Sequence, residues 1–142
     1  VIQDLSGRLL DAISMEHPWQ QLMFCFETLM DTSSSIGVDL YAQLFIMNLR
    51  DDKNTFDFNE RLTTTAVAII RRAQQQGHIR NTSDALSLYK AASHAFEGYE
   101  LLWCIKKGRF DRRPYVRCAM EDIFDVAPEY RQPEVRGLKD YY

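Results

Sequence analysis

Residues 71–89 read RRAQQQGHIRNTSDALSLY, and the fold turns on how this stretch is punctuated. A run of strong helix formers meets Gly77, which takes the left-handed cap conformation that other residues adopt only at a cost. A few residues later a new helix begins. Thr82 or Ser83 can cap it, and Asp84 puts a negative charge in its first turn.

Hydrophobic periodicity on both sides of this joint is helical and nowhere convincingly strand-like. The helix that Gly77 ends carries Leu62, Ala66, Ile69, Ile70 and Ala73 as one stripe, with Asp57 as its cap. Before it, a helix with Leu40, Tyr41, Leu44, Phe45 and Met47 runs into the polar exit NLRDDKN. Earlier still, Pro18 opens a helix carrying Trp19, Leu22, Met23, Phe26, Leu29 and Met30, which DTSSSIG (31–37) interrupts as a loop or break. A first helix is expected over about residues 2–15, closed by Pro18. After the joint come a long helix over about 83–107, ended by KKG, and a helix from near Arg112 that Pro128 breaks. The expectation is an all-α fold: a single bundle of about six helices over residues 1–131 and an aperiodic tail over 132–142.

The bulk numbers agree with a globular chain. At 142 residues, 46% hydrophobic and 26% charged, it can bury a real core. A net charge of -3 argues against the domain itself gripping nucleic acid. Cys25, Cys104 and Cys118 show neither metal nor CxxC spacing, so reduced thiols in a cytoplasmic protein are expected. No apolar run reaches membrane-span length, so no membrane partner is expected. The start at Val1 favours a fragment of a longer chain.

No GxSxG, P-loop or dinucleotide fingerprint occurs, and no carboxylate pair is placed for catalysis, so no enzymatic activity and no cofactor are expected. His17, His78 and His94 lack partners at ligand spacing, so no metal is expected. The basic run KKGRFDRRPYVR (106–117) reads as a solvated corner.

The long helix is too apolar for a surface position. Ala85, Leu88, Ala92, Ala95, Tyr99 and Leu102 make a heptad-like series, and Leu86, Tyr89, Phe96, Leu101, Trp103 and Ile105 widen it. It is either central in the domain or covered by a second subunit. Gly98, costing about 1 kcal/mol against alanine in mid-helix, points to close approach of a neighbouring helix and favours the subunit interface.

Ala73-Gln74-Gln75-Gln76-Gly77-His78-Ile79-Arg80, Asp84-Ala85-Leu86, Gly98, Trp103 and Phe110-Asp111 together resemble the C-terminal regulatory domain of TetR-family transcriptional regulators. His78 departs from that pattern, where an acidic residue is commoner, and the family's N-terminal helix-turn-helix headpiece is not in this sequence. The resemblance implies an effector-sensing, homodimerising domain of a bacterial one-component regulator, a repressor, with the last two long helices forming a four-helix dimer interface. DNA would be met only through the missing headpiece.

The resemblance also implies a small, largely apolar effector held between helices. Trp19, Met23, Phe26 and Tyr41 are the expected walls, with Phe45, Asn48, Ala66 and Ile70. Thr64, Thr65, His94 and Tyr99 are further polar candidates. For the interface the expected residues are Ala85, Ala92, Phe96 and Tyr99, then Tyr115, Ala119, Ile123 and Phe124. The alternative is a helical interaction or dimerisation module that takes no small molecule.

Overall fold

A computed structural model describes residues 17–132. The helix expected over 2–15 and nearly all of the expected tail lie outside these residues. Among the described residues there are five α-helices: α1 (Pro18–Ile36), α2 (Val38–Arg50), α3 (Glu60–Gln75), α4 (Ala85–Ile105) and α5 (Arg113–Phe124). A 3-10 turn, Pro128–Tyr130, follows.

The helix ends have local causes. His17 caps α1, its Nδ1 accepting from the Gln20 N–H at 3.3 Å, and Pro18 occupies the first turn. Asn59, not Asp57, caps α3 by accepting from the Leu62 N–H at 3.0 Å. Asp84 itself caps α4, taking the Ser87 N–H at 3.0 Å, so Thr82 and Ser83 precede the cap. Gly77, at φ +78°, closes α3 as expected, and the His78 N–H returns to the Ala73 carbonyl at 3.0 Å.

The break expected over 31–37 shrinks to Gly37 alone, at φ +97°. Thr32 and Ser33 stay helical because their hydroxyls donate back to the carbonyls of Thr28 (2.9 Å) and Met30 (3.1 Å). The last helix stops sooner than Pro128 requires: Asp125 sits in the left-handed region at φ +47°. The chain after it then runs antiparallel to the 78–81 joint, with Ile79 and Val126 forming an isolated bridge.

Four helices share the main core. Trp19, Leu22, Met23, Phe26 and Met30 of α1 meet Ile69, Ile70 and Ala73 of α3, Leu88, Ala92 and Phe96 of α4, and Val116, Met120 and Phe124 of α5. By contrast α2 buries no residue fully. It leans on the far end of α4 through a smaller cluster in which Val38, Tyr41 and Phe45 pack against Trp103, Cys104 and Phe110.

This arrangement corrects two sets of expectations. Trp19, Ala66 and Ile70, expected as ligand walls, lie in the core with at most 3% of their surface exposed, and Met23, equally buried, borders a separate pocket with Met30 and Arg113. Ala85, Ala92, Phe96 and Phe124, expected at a subunit interface, are equally enclosed by their own chain. A second copy is not needed to cover them. α1, α3 and α5 cover the core side of the apolar helix, while Leu86, Leu101 and Ile105 on its other side are exposed.

A Cβ built on Gly98 would meet nothing within 4 Å, so no other helix among the described residues approaches it closely.

Arg112 leaves the solvated corner expected for its neighbourhood. It is 4% exposed and pairs through Nε with Glu100 Oε1, which is fully buried. Its Nη2 donates to the Met30 carbonyl and to the hydroxyls of Ser33 and Ser34, and its guanidinium lies 3.9 Å from the Trp103 ring centroid. One side chain thereby ties α1 to α4 and lets the serine-rich end of α1 remain a helix.

Candidate ligand-binding site

Because α2 packs on the far half of α4 and not into the main core, a gap remains beneath it. This gap is a cavity of about 270 Å³, near the lower end of the roughly 300–1,000 Å³ of small-molecule sites. Its back is the second half of α1, from Phe26 to Ile36. Tyr41 and Leu44 of α2 cover one side and Leu62 of α3 another. Tyr89, Ser93, His94, Phe96 and Glu97 of α4 form the floor, and residues 55–59 close the remaining edge.

That edge is built by an asparagine. Asn48 Nδ2 donates to the Leu44 carbonyl at 2.7 Å and to Thr55 Oγ1 at 2.9 Å, while its Oδ1 accepts from the Lys53 N–H at 2.9 Å. Asn54 takes the left-handed conformation, φ +60°, and folds the chain back. Phe56 then stacks on Phe45 with centroids 4.5 Å apart, and Phe58 approaches Tyr89 (5.8 Å) and His94 (5.6 Å). Phe45 and Asn48 therefore support the cavity from behind. Of the expected ligand residues, Phe26 and Tyr41 line it directly.

The residues missed from sequence are instructive. Phe56 and Phe58 sit in NTFDFNE, whose polar composition reads as plain loop; two aromatics at alternate positions were the available signal. Phe96 was assigned to the interface and instead lines the cavity. Glu97, the charge that interrupts the apolar middle of α4, also lines the cavity. Of the other polar candidates, His94 lines the cavity, Thr64 is exposed, Thr65 donates to the Arg61 carbonyl and Tyr99 is half-buried against Phe110.

The electrostatics centre on Glu97. Burial, helped by the neighbouring charge of Glu100, pushes its carboxyl up to about 7. Its Oε2 is buried with no hydrogen-bond partner among the described residues. Burial, then the charges of Glu97 and Glu100, also raises the Tyr41 phenol and keeps it neutral. Burial raises the Tyr89 phenol, partly offset by the neighbouring Ser93 hydroxyl.

Two other clusters lie away from the cavity. His17 and His78 stack with centroids 4.1 Å apart, and Tyr130 meets His17 edge-on at 4.3 Å. Burial and the nearby His78 hold His17 below the usual imidazole range. Cys25 and Cys104 are pushed up by burial, Cys25 to about 12, so both stay as thiols. Among the described residues, no group of three His, Cys, Asp or Glu could hold a metal, and no helix is long and apolar enough to cross a membrane.

The described residues form an all-helical fold with an aromatic-walled cavity whose lining includes two carboxylates, Glu97 and Asp57. Comparison with protein-family models, curated proteins and solved structures finds no match.

Proposed function

We propose that this chain is the effector-sensing and homodimerising part of a TetR-like transcriptional repressor working in the cytosol, with DNA met through a headpiece that this sequence does not contain. The observation that carries the reading is the cavity: largely apolar, ligand-sized, and placed between the helices that precede the joint and the long helix that follows it.

The long helix α4 gives the cavity a route outward. One side of it is core, one edge is cavity floor, and the side opposite the core is open. Ser87, Ala91, His94, Gly98, Leu101 and Ile105 recur every three or four residues along that open side, and all are exposed in the single chain. Their spacing, with small Ser87, Ala91 and Gly98 and apolar Leu101 and Ile105, suits a helix from a second copy packed at close range. Tyr115, Ala119 and Ile123 of α5 are half-buried beside this face and remain available to widen it.

His94 belongs to both the cavity and the open seam. A ligand that binds one packing of α2 and α4 better than another shifts the population toward it, and the seam carries the change to the partner.

Native mass spectrometry of the purified chain tests both halves. A dimer carrying a small-molecule adduct is the expected result. A clean monomer at micromolar concentration overturns the assembly claim. A dimer that neither carries nor takes up any apolar small molecule favours the helical interaction module instead.

A further inference from the structure

We infer that the cavity takes a small organic cation, an ammonium group on an apolar or aromatic body, with Glu97 as its counter-ion. This rests on the cavity being a ligand site and goes further by fixing the charge of the guest.

Charge balance is the first support. The lining contains two carboxylates, Glu97 and Asp57, and among the described residues no Lys or Arg lines it. The buried cation nearby, Arg112, is already committed to Glu100, the Met30 carbonyl and two serine hydroxyls. Glu97 Oε2 is buried without a donor. Leaving an ionised carboxylate in such a place is costly, and the cost disappears when a cation arrives.

The walls are the second support. Phe26, Tyr41, Phe56, Phe58, Tyr89 and Phe96 all face the cavity, and aromatic faces attract cations, more strongly where water is excluded. Among the described residues no group of three His, Cys, Asp or Glu could hold a metal ion, whereas an alkylammonium keeps its apolar groups on the rings.

Capture is then linked to protons. Protonated Glu97 has no charge to offer, so a cation binds better at higher pH. The other titratable or charged groups around Glu97 are Glu100, His94 and Tyr89 of α4, Tyr41 of α2, Asp57 in the 55–59 edge and Arg112 before α5. The walls from α1 and α3 contribute none. Tyr41 stays neutral and Glu100 is held by Arg112.

Equilibrium dialysis with benzyltrimethylammonium and with neopentylbenzene, its uncharged carbon isostere, tests the assignment. At pH 8 the cation is expected to bind at least about tenfold more tightly than the isostere. Its affinity should fall about tenfold at pH 6, as Glu97 takes up a proton. Glu97→Gln should abolish the preference, with the isostere binding at least as tightly as to the parent because no buried carboxylate charge remains, and that binding also shows that the variant keeps its cavity. If the isostere binds as tightly as the cation, or the preference survives Glu97→Gln, the cation assignment fails and the ligand site stands. If neither probe binds, both readings fail.

Discussion

Glu97 occupies an environment that works against its charge, and stability should show it. Its carboxyl titrates near 7 in the folded chain against 4.5 as the unperturbed value. The folded state therefore holds the proton more tightly than the unfolded state. Stability is greatest below the unfolded value, declines as pH rises from about 4.5 to 7, and levels off above that. At about 1.4 kcal/mol per unit the penalty at pH 8 is on the order of 3 kcal/mol. Glu97→Gln should thus melt higher than the parent at pH 8 and nearly with it at pH 4.5; equal melting temperatures at pH 8 would refute this account of the site. Arg112 predicts the opposite sign. Arg112→Ala leaves Glu100 fully buried without its partner, a change that costs about 3–5 kcal/mol and is readable in denaturant melts. Neither residue was legible in the sequence. Both carry charges in stretches whose average character hides them: Glu97 inside an apolar helix, Arg112 inside a basic run. Burial of a charge depends on partners far along the chain, here Met30 and Ser33 for Arg112.

At the scale of elements, the order and type of the helices over residues 17–132 followed from periodicity, because a stripe of apolar residues at spacing three and four has few other ways to be buried. The boundaries followed less well. Thr82 or Ser83 was the expected cap of α4 and Asp57 that of α3, whereas Asp84 and Asn59 fill these places, and composition cannot choose among neighbours that differ by one or two positions. Geometry can: Asn59 reaches the Leu62 N–H, while Asp57 remains exposed. Asn59→Ala should cost about 1 kcal/mol, and Asp57→Ala should stay within about 0.5 kcal/mol of the parent. Chemical denaturation of the two variants separates them, and equal losses would reassign the cap. The DTSSS segment was misjudged for a related reason. Serine and threonine usually favour breaks because they compete for backbone groups, but here the same hydroxyls bond within the helix or to Arg112.

For the whole molecule, the central question is what covers the open side of α4. The amount of apolar surface on this helix was legible from residues 85–105, but not its division. A helix wheel records which residues avoid water and says nothing about which neighbour shields them. The core side proved to be the chain's own, whereas Leu101 is 41% and Ile105 59% exposed. Gly98 lies between them and Ala91, with open space where a side chain would stand. In an isolated chain, Gly98→Ala gains roughly 0.5–1 kcal/mol because alanine is the better helix former. In a dimer packed along this seam, the same methyl group holds the two helices apart. Gly98→Ala should therefore raise the melting temperature at low protein concentration and weaken association in sedimentation equilibrium. Leu101→Glu places a charge in the seam without touching the core, and should give a folded monomer with the parent's helicity. A variant that sediments like the parent would move the interface elsewhere, and α4 would then be a solvent-facing helix whose glycine has no structural reason on this side.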